Sequence, residues 1–508
     1  MNQLKGNHKR ILWSSLCLFL ALLVLAACSD NDRSRQIRQL KDIQGSVIGV
    51  QLGTTSDVLA TDLEKKGDGT RVERYTKGAD AIQALRQGKI DCVMTDEAPA
   101  RAFLRVNPSL SILPEAFDES SMAICVAKGN GPLQKSLNEA IHELQREGTI
   151  DSIVHRHMVQ HKTVAYKSSK NDLKYMDVPP LKFATNATFE PFEYYQAGKI
   201  VGIDIDVAHA IGDKIGRKVE VTDMEFDAII TSVQTGKADA GIAGITVTEE
   251  RKKNINFTDP YTKVKQVVVV QTGDKQIGKE EGLMDKFKDC FVTDARYQYL
   301  LKGLGNTLTI TFFAILLSLV LGTFIAIIRA THERNHNHRI LNALCQVYLT
   351  VIRGTPTMVQ LLIIYYVVFA SANVDKIFVA IIAFGLNSAA YIAEVIRSGI
   401  LSVDKGQMEA GRSLGLSYSQ TMRLVILPQA FKNVLPAIGN ELITLLKETS
   451  ISGYIGLVDL TKGSDIIRSI TYDALVPLGV VAMIYLTIVL ALAAGVNILE
   501  KRLRKSER

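Results

Sequence analysis

No stretch of this chain reads GxxxxGK[ST], so it has no P-loop to cradle the phosphates of a nucleoside triphosphate. Cysteine is scarce. The six present (Cys17, Cys28, Cys92, Cys125, Cys290, Cys345) form no CxxC pair and no metal spacing, which leaves neither a disulfide framework nor a zinc site. The nine histidines make no HExxH, and the densest group, HERNHNHR at 332–339, reads as a solvated basic loop. What the chain does have is length and apolar runs. Its 508 residues are too many for one core and suggest about three units. A net charge of +7 looks at first like a nucleic-acid signal, but the lysines and arginines gather beside the hydrophobic segments. That is the pattern of a membrane protein, and no nucleic-acid partner is expected.

The opening MNQLKGNHKRILWSSLCLFLALLVLAACSD has a basic start, an apolar run from Ile11 to Ala27, and then Leu25-Ala26-Ala27-Cys28. It reads as a bacterial secretory signal ending in a lipobox, with Cys28 lipidated after cleavage; an uncleaved signal anchor is the other reading. Either places the next stretch of chain outside the cytoplasm. Five apolar segments come after Gly305, at about 307–328, 343–371, 376–397, 434–456 and 474–498, each of a length to span a bilayer. Five crossings put RATHERNHNHR, the 398–433 loop and the tail KRLRKSER on one side. All three are rich in Lys and Arg, so that side is cytoplasmic. Glu394 and Arg397, spaced i,i+3, are expected to pair near the interface.

Between signal and membrane lie two α/β segments, 47–128 and 181–271. The second ends in QVVVVQ (266–271), whose four valines have no helical spacing and suit a strand covered on both faces. The segments share a phrase: DAIQALRQGKIDCVMTD (80–96) and DAIITSVQTGKADAGIAG (227–244). In each, an amphipathic run stops at a Gly suited to a helix C-cap, Gly88 or Gly236, and a strand starts after the next Asp.

FATNATFEPFEYYQAGKIVGIDIDVAHAI with GITVTEERKKNINFTDPY resembles the first lobe of the bacterial extracellular amino-acid receptors of ABC importers. GSVIGVQLGTTSDVLA, GKIDCVMTDEAPA and NEAIHELQREGTIDSIVHRHM resemble the second lobe and closing helices of the same receptors. In that family the first lobe comes first; here it comes second. Each lobe type occurs once, which implies one circularly permuted bilobed receptor. The partner of QVVVVQ should then lie upstream, with VIGVQLG as its continuation.

A free amino acid brings a carboxylate, an ammonium and a side chain, and a cleft that buries them must satisfy all three. The resemblance implies Arg251 as the bidentate carboxylate clamp, with Thr246 and the backbone at Gly244 from one lobe and Thr54 from the other adding donors. Asp96, at the C-terminal end of an apolar strand, would accept from the ammonium. Phe189 and Phe226 would supply walls, while Phe192 reads as core. Asn186 and Gln51 would meet the ligand's side chain, and two neutral amides suit glutamine or a similar polar molecule. Glu190 and Glu193 nearby keep arginine, lysine and histidine open.

YLLKGLGNTLTIT, IRGTPTMVQLLIIYY, AAYIAEVIRSGI and LLKETSISGYIGLVDLT make the membrane half similar to the permease subunits of polar amino-acid ABC importers. In MEAGRSLGLSYSQTMRLVILP (408–428), Glu409, Ala410, Gly415, Leu427 and Pro428 match the cytoplasmic loop that docks such permeases on their ATPase; Gly411 and Val425 depart from the usual Ala and Ile. The resemblance implies a separate dimeric ATP-binding subunit carrying ATP and magnesium, and a second permease copy; this chain needs no cofactor.

The expected fold is an α/β bilobed, circularly permuted receptor followed by an all-α transmembrane permease domain of five spans. Its divisions are 1–28 signal, 29–158 second lobe plus closing helices, 159–180 linker, 181–271 first lobe, 272–298 linker and 299–508 permease. The expected function is capture of a polar, glutamine-like amino acid outside a bacterial cell and its passage through the membrane, without enzymatic chemistry in this chain. Two other classes use a bilobed fold. A ligand-gated channel would place spans between the lobes and have no docking loop, and a soluble dehydratase would need an acid/base constellation that Asp96 alone does not make.

Overall fold

The computed structural model describes residues 37–158, 178–272, 282–335, 338–370 and 374–505. The signal with Cys28, most of the 159–180 linker and the end of the tail lie outside these residues.

Two sheets, each built from both α/β segments, form two lobes. The six-stranded sheet runs Arg71–Tyr75, Val47–Gln51, Cys92–Asp96, Thr262–Gln271, Leu110–Ile112, with Asp118–Met122 also paired to Thr262–Gln271. QVVVVQ therefore closes a sheet whose other strands lie upstream. Its direct neighbour is Cys92–Asp96, antiparallel, rather than Val47–Gln51. The four valines sort by the period of two: Val267 and Val269 join the cluster of Ile82, Leu85 and Phe103 on one face, Val268 and Val270 that of Ile48, Val50 and Met94 on the other. Burial on both faces is why no polar residue interrupts the run.

The five-stranded sheet runs Val219–Asp223, Leu181–Thr185, Ala240–Gly241, Cys125–Val126, Asn256–Phe257, and Cys125–Val126 belongs to the upstream segment. Two antiparallel connections join the lobes side by side: Asp118–Met122 leading to Cys125–Val126, and Asn256–Phe257 leading to Thr262–Gln271. Helices Gly131–Arg146 and Thr149–Met158 return to the five-stranded lobe. Leu133, Leu137, Ile141 and Leu144 form one buried stripe against Phe183, Phe192, Ile203 and Val207. Each such side chain contributes roughly 1.5–3 kcal/mol on burial, so this helix holds to the downstream segment by its core. Gly88 and Gly236 take positive φ at the ends of their helices, as their positions in the repeated phrase require.

In the membrane half, three helices among the described residues are long and apolar enough to cross a bilayer: Tyr297–Glu333, Lys376–Leu401 and Leu475–Arg502. The apolar segment expected as a single span at 343–371 is two helices, Arg339–Gly354 and Thr357–Val368, bent by 111°. Pro356 causes the break: it lacks an N–H and drives Thr355 into extended backbone (φ −122°, ψ 146°). Helix Leu427–Glu448, with Pro436 inside, packs on Lys376–Leu401. Glu394 pairs with Arg397 and also, at 2.8 Å, with Arg329.

Candidate ligand cleft

The strand ends of both lobes meet at a narrow cavity. From the six-stranded lobe come Gln51, which ends strand Val47–Gln51, Thr54, which caps the next helix, and Asp96, which ends strand Cys92–Asp96. From the other lobe come Asn186, Phe189, Phe226, Gly244 and Thr246. Eight residues expected at the site from sequence are thus lining one cavity. The ninth, Arg251, sits half-buried at its edge, with its guanidinium 5.6 Å from the Phe226 ring centre.

Arg251 bridges the lobes. Its Nη1 donates to Thr246 O at 2.7 Å and its Nη2 to Gly53 O at 2.6 Å, so its fork is held by backbone from both sides. Burial lowers its pKa from the ordinary value, partly offset by Cys125 and Asp96. A second bridge joins the amides, Gln51 Nε2 donating to Asn186 Oδ1 at 3.2 Å, while Asn186 Nδ2 donates to Met224 O at 2.8 Å.

Asp96 occupies the N-cap position of helix Glu97–Val106 but makes no cap hydrogen bond, because its carboxylate turns to Gln266 of the connecting strand. Burial raises its pKa to about 7, against the opposing pull of Gln266 and Arg251. Gln266 itself accepts from Ser56 Oγ at 2.6 Å. It lines the cavity, and nothing in the sequence marked it except its place at the head of the valine run.

Glu193 is the residue whose weight sequence reasoning missed. It lines the cavity at 1 % exposure, and neither carboxyl oxygen receives an N–H or O–H. Burial, with Asp204, Asp96 and Asp223 around it, holds its pKa well above the carboxylate range. Asp204, by contrast, accepts from Gly244 N at 2.7 Å and Tyr261 Oη at 2.8 Å. Glu190, expected near the ligand, points elsewhere: it pairs with Arg105 at 2.5 Å outside this cavity. Phe192 is core, as expected.

In the loop after the third apolar segment, Glu409 and Ala410 are exposed on helix Lys405–Ser413, and Gly415 follows in an open turn at φ +85°. Leu427 and Pro428 begin helix Leu427–Glu448. Gly411, which stands where alanine is usual, lies against the buried Thr421, leaving no room for a methyl group. Among the described residues no group of His, Cys, Asp and Glu could hold a metal ion.

A profile of the bacterial extracellular solute-binding proteins, family 3, matches residues 181–475. The arginine transport system permease protein ArtQ of Bacillus subtilis (strain 168) is 37 % identical over 221 residues, 43 % of this chain and 99 % of that protein. The chain belongs to the family 3 solute-binding proteins and to the amino-acid ABC transporter permeases. A probable amino-acid ABC transporter permease, YckA, of the same Bacillus is 39 % identical over 41 % of this chain and 89 % of its own length. The putative glutamine transport system permease protein GlnP of Rickettsia prowazekii (strain Madrid E) is 36 % identical over 40 % and 93 %. Since 221 residues account for nearly all of ArtQ, this family member carries its receptor as additional chain. It is a membrane protein with an extracellular binding domain, a transport component and not an enzyme, and its ATPase is separate.

Proposed function

We propose that the chain captures one amino acid per receptor in the interlobe cleft and passes it to its own membrane half, using ATP hydrolysed with magnesium on a separate dimeric subunit. The cleft carries this reading: an acceptor for an ammonium at Asp96 and aromatic walls at Phe189 and Phe226 line one interlobe cavity, with a guanidinium for a carboxylate at Arg251 on its edge. The Gln51–Asn186 amide pair supports a glutamine-like side chain, and a related permease is named for glutamine. Glu193 favours a second reading, a basic amino acid (arginine, lysine or histidine), because a cationic side chain would relieve a buried carboxyl crowded by Asp204, Asp96 and Asp223; another relative is named for arginine.

The receptor is read as circularly permuted, with 29–158 and 181–271 as complementary parts; the interleaved sheets support this. The five-span reading adds 434–456 to the three long helices and the bent pair. It places the 398–433 loop, with Glu409, Ala410, Gly415, Leu427 and Pro428, on the cytoplasmic side to dock the ATPase, and a second permease copy completes the pathway. Among the described residues all receptor strands precede Tyr297, which speaks against a channel with spans between its lobes.

Thermal shift of the full chain in lipid nanodiscs against the twenty amino acids tests the function, since a ligand of the folded state alone raises its stability with concentration. One polar or basic amino acid should stabilise it with one site per chain; no shift from any of them sinks the reading. A chain rebuilt with 181–271 before 47–158 should bind the same ligand, whereas two ligands per chain would refute the permutation.

A further inference from the structure

Two buried carboxyl groups lie against each other beside the ligand cavity. Glu193 opens strand Glu193–Gln196 and is 1 % exposed; Asp204, fully buried, stands in the first turn of helix Ile203–Ile215. Their side chains are within hydrogen-bond reach of one another. Ionised carboxylates only accept, so a hydrogen bond between the two requires a proton on one of them.

The surroundings say which. Asp204 takes the Gly244 N–H at 2.7 Å and the Tyr261 O–H at 2.8 Å, and the first turn of its helix favours negative charge. Burial pushes its pKa up to about 6, against the pull of Gly244, Tyr261 and Glu193, so at pH 7 Asp204 is the charged member. Among the described residues no N–H or O–H reaches either oxygen of Glu193, and Asp96 and Asp223 bear on it together with Asp204. Ionising Glu193 would bury a charge that has acids for neighbours and no donor. The proton belongs to Glu193.

Asp204 in turn holds two parts of the receptor on which a ligand depends. Gly244 lines the cavity at φ +55°, where a Cβ would come within 3.1 Å of Phe189 and 3.2 Å of Met122. Its N–H is committed to Asp204, so the backbone donor expected there is already engaged. Tyr261 directly precedes Thr262–Gln271, the strand by which the chain enters the six-stranded lobe. One carboxylate thus ties the wall of the cavity to a connection between the lobes.

We propose that Glu193 is a positioning residue of the ligand site, a neutral acid whose O–H donates to Asp204 and keeps Gly244 and Tyr261 tied to that one buried carboxylate. A neutral Glu193 offers no counter-charge to a cationic side chain, so on the importer reading above, on which only the binding readout rests, it points to the glutamine-like ligand. Glutamine at this position would replace the O–H donor by an N–H. Alanine would leave Asp204 one donor short.

The test uses the full chain in lipid nanodiscs. Infrared difference spectra between the wild type and Glu193→Gln at pH 7 should show the C=O stretch of a protonated carboxyl in the wild type alone. That difference band should shift when the chain is grown on glutamate isotope-labelled at its side-chain carboxyl, and stay put with labelled aspartate. Asp204→Asn, whose amide would donate to Glu193, should erase the band although Glu193 is still present. Calorimetry with L-glutamine should show affinity at least about tenfold weaker in Glu193→Ala and largely restored in Glu193→Gln, a rescue that general damage to the core would not give. A missing band, or one that shifts with aspartate, overturns the proposal. So does L-glutamine binding lost as deeply in Glu193→Gln as in Glu193→Ala. L-arginine binding that Glu193→Gln abolishes would make Glu193 the charged partner of a cationic side chain and overturn it as well. If neither amino acid binds the wild type, the importer reading fails while the infrared band still judges the proton.

Discussion

Arg251 and Gly53 meet across the cleft, the guanidinium of one lobe donating at 2.6 Å to a backbone carbonyl of the other. The cleft thus has an internal strut where a ligand carboxylate should sit. Arg251→Ala removes strut and clamp together, and calorimetry should show affinity falling at least about 30-fold, on the order of 2–5 kcal/mol for a charge-assisted bidentate pair. Arg251→Lys, which keeps the charge and loses the fork, should fall between. Binding unchanged in Arg251→Ala would move the carboxylate site elsewhere.

Asp96 gives the pH dependence its sign. Its folded pKa is raised, to about 7, so the empty receptor keeps a proton there that the unfolded chain releases near 4. That group's contribution to stability is full at low pH and is lost as pH rises through 7. A ligand ammonium needs the carboxylate, so affinity should rise about tenfold per pH unit up to about 7 and then level off. Calorimetry in buffers of different ionisation enthalpy should find a proton released on binding near pH 6, and Asp96→Asn should abolish it.

Glu193 separates the two ligand readings. With Glu193→Gln, a basic amino acid should lose at least about 30-fold in affinity, because its side chain loses a buried charged partner. A glutamine-like ligand should bind as well or better, and the empty receptor should melt higher, since a neutral amide replaces a crowded carboxyl. Competition calorimetry with both ligands reads the difference directly.

Gly415 has open space around it rather than a packed turn, so a side chain there meets no wall, and strain at φ +85° is the local cost, about 1 kcal/mol. Gly415→Asp should leave ligand binding unchanged while ligand-stimulated ATP hydrolysis by the assembled transporter drops at least tenfold. Normal stimulation would exclude this turn from the coupling surface.

The lobes were legible because their residues are stereotyped: valines buried on both faces, glycines at helix ends, an aspartate at a strand's end. The cavity residues came from motif positions. Gln266 was hidden because a polar residue at the head of an apolar strand looks the same whether it faces solvent or a neighbour's carboxylate. Glu193 was seen but underweighted, since only packing shows that its oxygens meet no donor. The contacts of Lys462 with Glu225 and of Tyr472 with Phe103 had no local pattern at all: each joins residues more than 200 positions apart. The bend at Pro356 could have been read from the proline itself, but an uninterrupted apolar run masked it.

Strand Thr262–Gln271 lies between Cys92–Asp96 and Leu110–Ile112, and this sets a timetable for biosynthesis. The ribosome must add more than 160 residues after Asp96 before the strand that covers its open edge exists. At about 5–20 residues per second that is on the order of ten seconds or more. Throughout that interval the nascent six-stranded lobe presents an unpaired, hydrophobic edge, the kind of surface to which other chains add strands. A holding chaperone on the outer side of the membrane would find its client there, and slowing synthesis between residues 100 and 262 should increase aggregation more than slowing it after 272.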